Sequence, residues 1–598
     1  MCGIAGYLHY GDLKDDQLVK RMCDRIAHRG PDDHNYLELD EISLGHRRLS
    51  IIDLSAAARQ PMPDASSRYF IVFNGEIYNY QELKNELVAL GCRFLNNSDT
   101  EVVLNAYATW GRTCLERFNG MFAFAIWDSH EHELFVARDR FGKKPFYYAM
   151  LPGGKMVFAS ELSAVLEHPL VSRDTDPEAL NCYLALGYVL SPLSFYKAIK
   201  KLPAAHWLSI SNKGSKVQQG RYWDYAKKLG VAKITDTDRA KEGIRYHLEK
   251  AVRYRLIADV PVGALLSGGI DSCSLVAIAG KLCPGKLKTF SIGFDKKSYN
   301  EMDDARFAAE YFKTEHYDHL MDKESSLRML HDAIDCFAEP FSDNSLVPMY
   351  RVSKLAAEHV KVVISGDGAD ELFGGYITYK ADRLFQSYRR LPPVLRRAAL
   401  NLMKGSKVEE KQKIGTRYKM RQFLQGASSD FEAAHYSWRL IFPPEQRIRL
   451  MGEQYRELVY DTDPVNRFRS YFSEVKDLHW LDKALYVDAM TWLTDDILVK
   501  VDRTSMHCSI EARAPYLDVE MAEFAAAIHP SLKLKRGTGK YILKEALKGL
   551  VPTAILYRKK SGFNAPVGDW IGNEEGDEFR SFNKFVLNRF YGAAKKAK

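Results

Sequence analysis

The sequence predicts two domains, an α+β domain followed by an α/β domain that contains a parallel sheet. The 598 residues exceed what one hydrophobic core normally holds, so at least two domains are expected. Up to about residue 205 the chain reads as many short strands with few helices, whereas from about residue 236 long helical periods alternate with isolated strands. We therefore place the domains at residues 2–205 and 236–598, with a linker over residues 206–235.

Composition and charge are those of an ordinary globular protein. Hydrophobic residues make up 46% and charged residues 27%, and the net charge of +8 is modest for this length. Lys595, Lys596 and Lys598 form a short basic tail that we expect to be solvated, and no basic stripe indicates nucleic-acid binding. The longest apolar stretches have about seven residues, far fewer than the ~20 that span a bilayer, so no membrane association is expected.

Cysteine usage indicates a reducing compartment. The nine cysteines are irregularly spaced and include no Cys-x-x-Cys pair, which argues against a disulfide framework and a structural zinc site. The N-terminus also lacks the basic region and apolar run of a signal peptide. We therefore expect the protein in the cytoplasm.

Short apolar segments predict the strands of the first half. Strands are expected over residues 71–73, 122–127 and 133–137, and the first of them ends at an Asn-Gly dipeptide, which is a strong hairpin signal. A helix is expected over residues 81–90, where leucines recur at helical spacing before a glycine.

The first residues read Met-Cys-Gly-Ile-Ala-Gly. Removal of Met1 would leave Cys2 with both a thiol and a free α-amine. The α-amine titrates near pH ~8, so at neutral pH a fraction of it can accept the thiol proton. This arrangement is that of an N-terminal nucleophile, which carries its own base. The alternative, from these residues alone, is a small buried thiol at the start of a strand.

Four polar clusters interrupt the strands of this half, at residues 28–32, 47–51, 74–79 and 98–101. Each cluster by itself is typical of a turn. Together they offer an oxyanion hole from the Asn74 side-chain amide and the Gly75 N–H. Arg48 could bind a carboxylate and Asp99 an α-ammonium. A substrate with a carboxylate, an ammonium and an amide carbonyl is glutamine.

This half resembles the glutaminase domain of class II glutamine amidotransferases in its motifs, which read MCGIAGY, HRGPD, RRLSIID, NGEIYNY, SDTE, GMFAFAIWD and RDRFGKKPFYY. The resemblance implies a four-layer αββα Ntn-hydrolase sandwich, removal of Met1 and catalysis by Cys2, with Asn74 and Gly75 as the oxyanion hole. The family often has His-Glu-Arg where this chain has His-Arg-Arg, and we assign that arginine's role to Arg48 because it precedes Leu-Ser-Ile. The glutamine-binding residues that the resemblance implies are Arg48, Asn74, Gly75, Glu76 and Asp99.

A glycine-rich loop follows the first strand of the second half. Residues 260–266 predict a buried strand, Ser-Gly-Gly-Ile-Asp-Ser follows at 267–272, and residues 275–282 are helical. A strand, a glycine loop and a helix in this order form a phosphate cradle, because backbone N–H groups and the positive helix end face the anion. The loop lacks the Gly-Lys-Ser/Thr of a Walker motif. It resembles the PP-loop of ATP pyrophosphatases, which cleave ATP between the α- and β-phosphates.

Two further strands are expected in this half. Residues 289–294 look like the adenosine-contacting strand of that fold, and residues 361–364 lead into a second glycine-rich, acidic loop at 365–376. Strands that alternate with helices imply a parallel sheet with ligands at the carboxyl ends of the strands. The ATP-binding residues that the resemblance implies are Leu265, Leu266, Ser267, Gly268, Gly269, Asp271, Ser272, Ile292, Ser365 and Gly366.

Charged side chains near these loops have expected roles. ATP and its pyrophosphate leaving group need Mg²⁺, a hard ion that prefers carboxylate and phosphate oxygens, and we assign Asp271 and Asp370 as its ligands. Asp367, Asp370 and Lys500 are expected to hold the acceptor. By resemblance to the synthetase lysine that precedes His/Tyr-Ile-Leu, Lys540 is placed as a catalytic counter-charge at the α-phosphate or the oxyanion.

The charged region beyond the second loop extends the resemblance nearly end to end. The segment 495–503 and the Glu-Ala-Arg-x-Pro-x-Leu-Asp run at 511–518 resemble glutamine-hydrolysing asparagine synthetases. A structural network of ion pairs is the alternative for this dense charge. The resemblance implies that ammonia released at Cys2 travels through an internal tunnel. At the second site, a carboxylate adenylated by Mg-ATP would then become an amide, with aspartate as the first expected acceptor.

The identity of the acceptor is where the sequence leaves alternatives. Many members of the family have Ser-Gly-Glu-Gly where this chain places Asp367, and the segment 342–348 also differs from well-established aspartate enzymes. The segment 560–570 resembles bacterial members found among polysaccharide and secondary-metabolite enzymes. The alternative is the same mechanism on another carboxylate, such as a sugar uronic acid or a biosynthetic intermediate. A β-lactam synthetase fits less well, because those relatives do not need a working Cys2.

A non-catalytic protein that keeps the fold is the alternative of a different class. It predicts eroded motifs, whereas Cys2, Asn74, Gly75, Asp271 and Asp370 are all present. The expected partners are therefore small molecules, namely glutamine, ATP and aspartate or another carboxylate, and a homodimer is left open.

Overall fold

The chain folds into an N-terminal half with two antiparallel sheets and a C-terminal half with a parallel sheet. The computed structural model describes residues 2–11, 15, 17–283, 285–392, 394, 396, 423–424, 426–427, 430–558, 564–572 and 577–596. Met1, Lys598 and the part of the 560–570 segment before Asn564 lie outside the described residues.

The strands of the N-terminal half are β1 Gly3–Leu8, β2 Asp33–Glu38, β3 Ile42–Arg48, β4 Met62–Pro63, β5 Tyr69–Ile77, β6 Gly120–Asp128, β7 Glu133–Arg138, β8 Tyr147–Met150, β9 Met156–Ala159, β10 Lys200–Lys201, β11 His206–Ser211 and β12 Lys216–Arg221. In the part of the chain that the structure describes, they form two six-stranded sheets. The first has the order β10-β8-β9-β1-β3-β2, and the second has the order β12-β11-β7-β6-β5-β4.

Four layers result from the alternation of side chains along these strands. On one face of β1, Ile4 packs in the same apolar cluster as Val72 of the second sheet. On the other face, Tyr7 packs with the helix Leu18–Arg25. The far face of the second sheet packs against the helix Asp99–Trp110. This helix–sheet–sheet–helix order confirms the predicted αββα sandwich.

The prediction that a strand ends at Asn74-Gly75 is wrong, because β5 continues to Ile77. The dipeptide pairs with β6 inside the ladder instead of forming a turn. A Cβ at Gly75 would lie 2.3 Å from the Met121 carbonyl oxygen, so the close approach of the two strands requires glycine.

The second sheet also extends into the segment predicted as a linker. β11 pairs with β7, and β12 pairs with β11, so the sheet continues to Arg221, beyond the predicted limit at residue 205. β12 is an exposed edge strand of mostly polar residues and therefore lacks the apolar alternation that predicts a strand.

The C-terminal half is built on β13 Val262–Leu265, β14 Lys288–Phe294, β15 Glu315–Met321, β16 Val362–Ile364 and β17 Glu511–Arg513. Their order is β15-β14-β13-β16-β17, and every neighbouring pair is parallel. The predicted parallel sheet and its strands β13, β14 and β16 are thereby confirmed. β15 and β17 are not predicted, because they carry charged residues and no apolar run.

Helices cover both faces of the parallel sheet and the outer faces of the sandwich. Their bounds are Leu18–Arg25, Tyr80–Ala89, Asp99–Trp110, Cys114–Arg117, Leu162–Val165, Pro177–Leu186, Tyr225–Leu229, Thr237–Arg255, Ile270–Leu282, Met302–Phe312, Lys323–Asp335, Leu346–Ala357, Ala369–Phe373, Ile377–Tyr388, Phe431–Ser437, Pro444–Met451, Arg456–Asp461, Val465–Glu474, Trp480–Asp488, Leu498–His507, Val519–Ala527, Pro530–Lys533, Tyr541–Ala546, Thr553–Leu556, Val567–Ile571 and Glu578–Lys596, with a π-helix at Ala489–Ile497. In the described residues, none of these helices combines the length and hydropathy of a bilayer-spanning segment.

Buried polar contacts join the two halves. Asp502 accepts hydrogen bonds from Arg29 Nη1 at 2.9 Å and Nη2 at 3.1 Å, and from Lys144 Nζ at 3.0 Å. Asn119 Nδ2 donates to Asp518 Oδ2 at 2.9 Å. Displacing one partner of a buried ion pair leaves the other charge uncompensated, so these contacts define one arrangement of the halves.

Candidate active sites

Cys2 lies immediately before β1 and contacts three parts of the N-terminal half. Its backbone N–H donates to Asn74 Oδ1 at 3.2 Å, and its thiol lies 4.0 Å from the Leu49 carbonyl oxygen. Arg29 Nε donates to the Cys2 carbonyl oxygen at 3.2 Å. Burial raises the pKa of the Cys2 thiol, so the thiol needs a base before it can act as a nucleophile.

Asn74 offers an amide donor beside this thiol. Its Nδ2 is buried and has no hydrogen-bond partner among the described residues, while its Oδ1 accepts from Cys2. A buried amide N–H without a partner is costly, and a substrate oxygen that accepts from it would remove that cost. Gly75 follows Asn74 in β5, and Asn74 is the predicted oxyanion-hole residue for which a direct contact with Cys2 is seen.

Glu76 follows Asn74 by two residues in β5, and Asp99 is a second buried carboxyl group beside this strand. The Ile77 N–H donates to Asp99 Oδ2 at 2.9 Å. Burial raises the pKa of Asp99 to about 7, and burial together with Asp99 raises the pKa of Glu76 well above its usual range. A cation placed between them would favour their ionised forms, as the predicted binding of an α-ammonium requires.

Arg48 is engaged with the backbone of a neighbouring loop. Its Nη1 donates to the Ser55 carbonyl oxygen at 2.8 Å, and its Nη2 donates to the Asp53 carbonyl oxygen. The guanidinium thus holds the 53–55 loop in place. Its predicted contact with the glutamine carboxylate stays a prediction.

A residue of the C-terminal half completes the wall of this site. Arg513 Nη2 donates to Glu76 Oε2 at 3.0 Å, and Arg513 Nε donates to Glu511 Oε1 at 2.5 Å. Arg513 and Glu511 both belong to β17, the edge strand of the parallel sheet. The sequence places them in a charged run without indicating that they reach Glu76.

The loop after β13 has the shape of an anion cradle. Gly268 has a φ of +69°, and a Cβ there would lie 2.7 Å from the Asp304 backbone carbon, so this position requires glycine. Ser272 Oγ accepts from the Ser267 N–H at 3.2 Å and donates back to the loop backbone at 3.2 Å. The loop is thereby closed on the N-terminus of the helix Ile270–Leu282, which favours an anion.

Other predicted nucleotide-binding residues lie at the same edge of the sheet. Leu265 is the last residue of β13, Ile292 lies near the end of β14, and Ser365 follows β16. A Cβ at Gly366 would lie 3.0 Å from Asp271 Cβ, so the second glycine loop packs directly on the first. The structure therefore brings the two loops together.

Lys540 joins both loops. Its Nζ lies 2.5 Å from Asp271 Oδ2 and 2.8 Å from Asp370 Oδ1. Burial alone lowers the pKa of this ammonium, but the two carboxylates raise it overall, so Lys540 stays charged at neutral pH. The sequence predicts these three residues separately, and the structure places them in one cluster.

Lys500 lies near Asp367 of the second glycine loop. Its Nζ is 3.3 Å from Asp343 Oδ2. Asp367 Oδ2 accepts from Ser365 Oγ at 2.7 Å, and burial raises the pKa of Asp367 while the Lys500 charge acts against that rise. The predicted acceptor residues Asp367 and Lys500 thus interact electrostatically with each other.

Comparison with known proteins bears on both sites. Residues 1–223 match the glutamine amidotransferase domain family, and residues 243–581 match the asparagine synthase family. The chain belongs to the asparagine synthase family.

Relatives match nearly the whole chain. A glutamine-hydrolyzing asparagine synthetase of Bacillus subtilis is 34% identical over 587 residues, which cover 97% of this chain and 89% of that protein. A second such synthetase of the same organism is 31% identical, with 94% and 87% covered. An amidase of Penicillium rubens is 29% identical, with 96% of this chain and 90% of the amidase covered.

In this member of the asparagine synthase family, the site residues that come from distant segments are not predicted from the sequence. Arg513 and Asp343 are 437 and 157 positions from the residues Glu76 and Lys500 that they contact. The charge of the 495–503 and 511–518 segments was the available signal. The structure shows that part of this charge forms the ion-pair network considered as an alternative, with Asp502 paired to Arg29 and Lys144.

Proposed function

We propose that this chain is a glutamine-dependent asparagine synthetase. It hydrolyses glutamine at Cys2, and the ammonia amidates aspartate activated by Mg-ATP, which yields asparagine, AMP and pyrophosphate. The observation that carries the proposal is the cluster of Lys540, Asp271 and Asp370 beside a phosphate-type loop, in a chain whose Cys2 lies beside Asn74. The nine cysteines are free thiols, which supports a reducing compartment such as the cytoplasm.

The glutaminase step uses the residues of the N-terminal half. Once Met1 is removed, the Cys2 α-amine accepts the thiol proton, and sulfur attacks the side-chain carbonyl carbon of glutamine. Asn74 Nδ2 and the Gly75 N–H donate hydrogen bonds to the oxygen that becomes negative. The C–N bond then breaks, the nitrogen takes up a proton and leaves as ammonia, and water hydrolyses the glutamyl thioester.

The synthetase step uses the edge of the parallel sheet. A carboxylate oxygen of the acceptor attacks the α-phosphorus of ATP, and the bond to the pyrophosphate oxygen breaks. Lys540 balances the negative charge that spreads over the α-phosphate oxygens. Ammonia then attacks the acyl carbon, AMP leaves with the C–O electron pair, the nitrogen releases one proton to water, and the amide forms.

Asp271 and Asp370 fit a Mg²⁺ ion with phosphate oxygens as its other ligands. Both carboxylates lie within 2.8 Å of the same Lys540 nitrogen, so they converge on one place. No group of three or more acidic, histidine or cysteine side chains that could hold a metal occurs in the described residues, so an ion here would depend on the nucleotide for its remaining ligands. When bound, it would neutralise charge on the phosphates and on the leaving pyrophosphate.

The direct test supplies the purified protein with glutamine, Mg-ATP and aspartate. We expect asparagine, glutamate, AMP and pyrophosphate in equal amounts. Active glutaminase without asparagine and AMP would contradict the aspartate assignment, and absence of both activities would contradict the proposal as a whole.

A second candidate is the same mechanism on another carboxylate. Asp367 is shorter than the glutamate expected at this position, and the similarity to an amidase of Penicillium rubens covers 96% of the chain. A screen of carboxylates by pyrophosphate release distinguishes the two candidates.

A further inference from the structure

The loop that follows β3 lies against the C-terminal half of the chain. It comprises residues 49–55, and we call it the glutamine-site loop. Leu49 and Ile51 are buried in an apolar cluster with Val362, the first residue of β16, and Val262, the first residue of β13, packs against the same cluster. The loop therefore lies on the ends of β13 and β16 that are opposite to the two glycine loops.

Asp259 makes two hydrogen bonds to the glutamine-site loop. It is an exposed residue three positions before β13. Its Oδ2 accepts from the Asp53 N–H at 2.8 Å, and its own N–H donates to the Ile51 carbonyl oxygen at 2.9 Å. The C-terminal half thus holds the backbone of the loop at two positions.

Asp53 connects Asp259 to the predicted glutamine-binding residues. Its carbonyl oxygen accepts from Arg48 Nη2, and the Ser55 carbonyl oxygen accepts from Arg48 Nη1 at 2.8 Å. Its Oδ2 accepts at 2.8 Å from the N–H of Asn97, which lies two residues before Asp99. One residue therefore contacts the guanidinium assigned to the α-carboxylate of glutamine and the segment that leads to the carboxyl group assigned to its α-ammonium.

The backbone conformation of Asp53 depends on such contacts. Its φ is +51°, in the left-handed region that is unfavourable for a residue with a Cβ. Asp53 Oδ1 accepts from the Ser55 N–H at 3.1 Å and from Ser55 Oγ at 2.6 Å, which offsets part of the cost within the loop. The hydrogen bond to Asp259 comes from outside the loop, so we expect its loss to shift the Asp53 carbonyl oxygen.

The orientation of Arg48 depends on that carbonyl oxygen. The side chain is buried, and the two loop carbonyl oxygens accept two of its five N–H donors. Burial raises the pKa of the Cys2 thiol, and the Arg48 charge opposes that rise, so the guanidinium lies within electrostatic range of the nucleophile. A guanidinium binds a carboxylate with two parallel hydrogen bonds only when its plane is correctly oriented.

A second polar contact holds the start of the loop independently. Lys361 immediately precedes β16, and its Nζ lies 2.7 Å from Asp32 Oδ2. The Ser50 N–H donates to the same oxygen at 2.8 Å. Together with the apolar packing of the loop, this contact keeps the two halves joined when Asp259 is replaced.

We propose that Asp259 is a positioning residue for glutamine. It holds the Asp53 backbone, the carbonyl oxygens of Asp53 and Ser55 hold the Arg48 guanidinium, and Arg48 binds the α-carboxylate of glutamine. The inference rests on the proposed function and extends it, because a residue of the C-terminal half then contributes to the affinity for glutamine. Asp259 acts through the glutamine-site loop and not on the reacting atoms.

The first experiment measures glutaminase kinetics of Asp259 variants. Asp259→Ala removes the acceptor for the Asp53 N–H, so we expect the KM for glutamine to rise by about tenfold while kcat stays within about twofold of wild type. Asp259→Asn keeps an oxygen that can accept this hydrogen bond, so its KM should stay within about twofold of wild type. The matched control is Asp477→Ala, which changes another exposed aspartate of the C-terminal half.

The division of the effect between KM and kcat separates positioning from a merely structural role. We expect Asp259→Ala to keep the wild-type Tm and the wild-type rate of asparagine synthesis with added ammonium salt, whereas a structural role would lower them together with the glutaminase. An unchanged KM for glutamine in Asp259→Ala would overturn the proposal. It would also be overturned if Asp259→Asn raised this KM as much as Asp259→Ala does.

The second experiment tests the path through Arg48 without requiring synthesis. Cys2 is alkylated either with the diazoketone analogue of L-glutamine, which carries the α-carboxylate, or with iodoacetamide, which does not. Peptide mass spectrometry follows the label at Cys2. In Asp259→Ala we expect the half-saturating concentration of the diazoketone to rise by about tenfold and the rate with iodoacetamide to equal that of wild type.

The two reagents distinguish failure of the inference from failure of the proposed function. Equal diazoketone labelling of wild type and Asp259→Ala at every concentration would overturn the positioning role and leave the glutaminase in place. Equal slowing with both reagents would overturn the path through Arg48. If the diazoketone did not label Cys2 in the wild type, the proposed glutaminase would be overturned, and the positioning role with it.

Discussion

Arg513 Nη2 donates a hydrogen bond to Glu76 Oε2 over 3.0 Å, and this contact crosses from the parallel sheet to the N-terminal half. The carbonyl oxygen of the same arginine accepts from the Ser365 N–H at 2.8 Å. Arg513 therefore contacts the wall of the Cys2 site with its side chain and the second glycine loop with its backbone. Both candidate sites depend on the position of this one residue.

Replacing Arg513 should affect both stability and the glutaminase. In Arg513→Gln, Glu76 and Glu511 lose the guanidinium that compensates them in a buried setting, so we expect the free energy of unfolding to fall by about 3–5 kcal/mol. The KM for glutamine should rise as Glu76 shifts. Urea unfolding and glutaminase kinetics check this, with the exposed Arg328→Gln as the control. Unchanged unfolding in Arg513→Gln would show that the contact contributes nothing.

Removing the thiol should separate the two activities. A Cys2→Ala variant has no nucleophile, so we expect glutamine-dependent synthesis to fall by at least about a thousandfold, while synthesis with added ammonium salt continues at the wild-type rate. Asparagine formation from each nitrogen source measures this. Loss of both activities in a folded variant would contradict two separate sites.

Removing the Lys540 charge should impair the synthetase step and spare the glutaminase. In Lys540→Met, Asp271 and Asp370 face each other without a counter-charge, and the α-phosphate loses its positive partner. We expect ATP-dependent pyrophosphate release to drop by at least about a hundredfold and the glutaminase to persist. Lys535→Met changes an exposed lysine in the same segment and should leave both rates unchanged. Wild-type pyrophosphate release in Lys540→Met would contradict its catalytic role.

A methyl group at Gly75 should separate β5 from β6. The added Cβ would lie 2.3 Å from the Met121 carbonyl oxygen and 2.8 Å from Phe122 Cα, which are both backbone atoms of β6. We expect Gly75→Ala to lose glutaminase activity and to lower the Tm. The control is Gly280→Ala in the helix Ile270–Leu282, where, apart from the adjoining residues and the backbone of its own helix, no atom of the described residues lies within 4 Å of the new Cβ. That change should stabilise the protein by about 0.5–1 kcal/mol.

A buried histidine should make stability depend on pH. His435 lies between Asp382 and Asp488, with ring nitrogens 2.8 and 2.9 Å from their carboxylates. Burial lowers the pKa of His435, but the two carboxylates raise it overall to about 9. The resulting stabilisation is fully present below the unfolded pKa of ~6.5 and is lost as the pH rises through about 9, by about 3 kcal/mol.

The measurement compares urea unfolding of wild type and His435→Gln at pH 6.5 and pH 9.5. The wild type should lose more stability over this interval than the variant. Exposed His34→Gln is the control and should behave as wild type. An identical pH dependence in wild type and His435→Gln would refute the assignment.

Local motifs predicted much of the fold and of both sites. The thiol at Cys2 and the loop at Gly268 are each specified by a few consecutive residues, because a strand end or a glycine turn determines where those side chains lie. The cluster of Lys540 with Asp271 and Asp370 was predicted only as three separate residues. Their meeting depends on how the helices of the C-terminal half pack around the sheet.

The structural features that the sequence does not predict share a physical cause. Pairing partners that are remote in the chain override the local signals. The Asn74-Gly75 dipeptide favours a turn by itself, but pairing with Ala123 and Phe122 of β6, 49 and 47 residues further on, holds it in a strand. β17 has only three residues and no apolar run, so nothing local indicates that Arg513 reaches Glu76.

The ion pairs at Asp502 limit how this enzyme can be recombined. A hybrid that joins residues 2–221 to a synthetase half from another source would leave the buried Lys144 without its Asp502 partner and Arg29 with Glu161 alone, unless the graft supplied an aspartate at the position of Asp502. Arg29 also holds the Cys2 carbonyl oxygen, so the mismatch would reach the nucleophile. Protein engineers who exchange the glutaminase half should therefore transfer the helix Leu498–His507 with it.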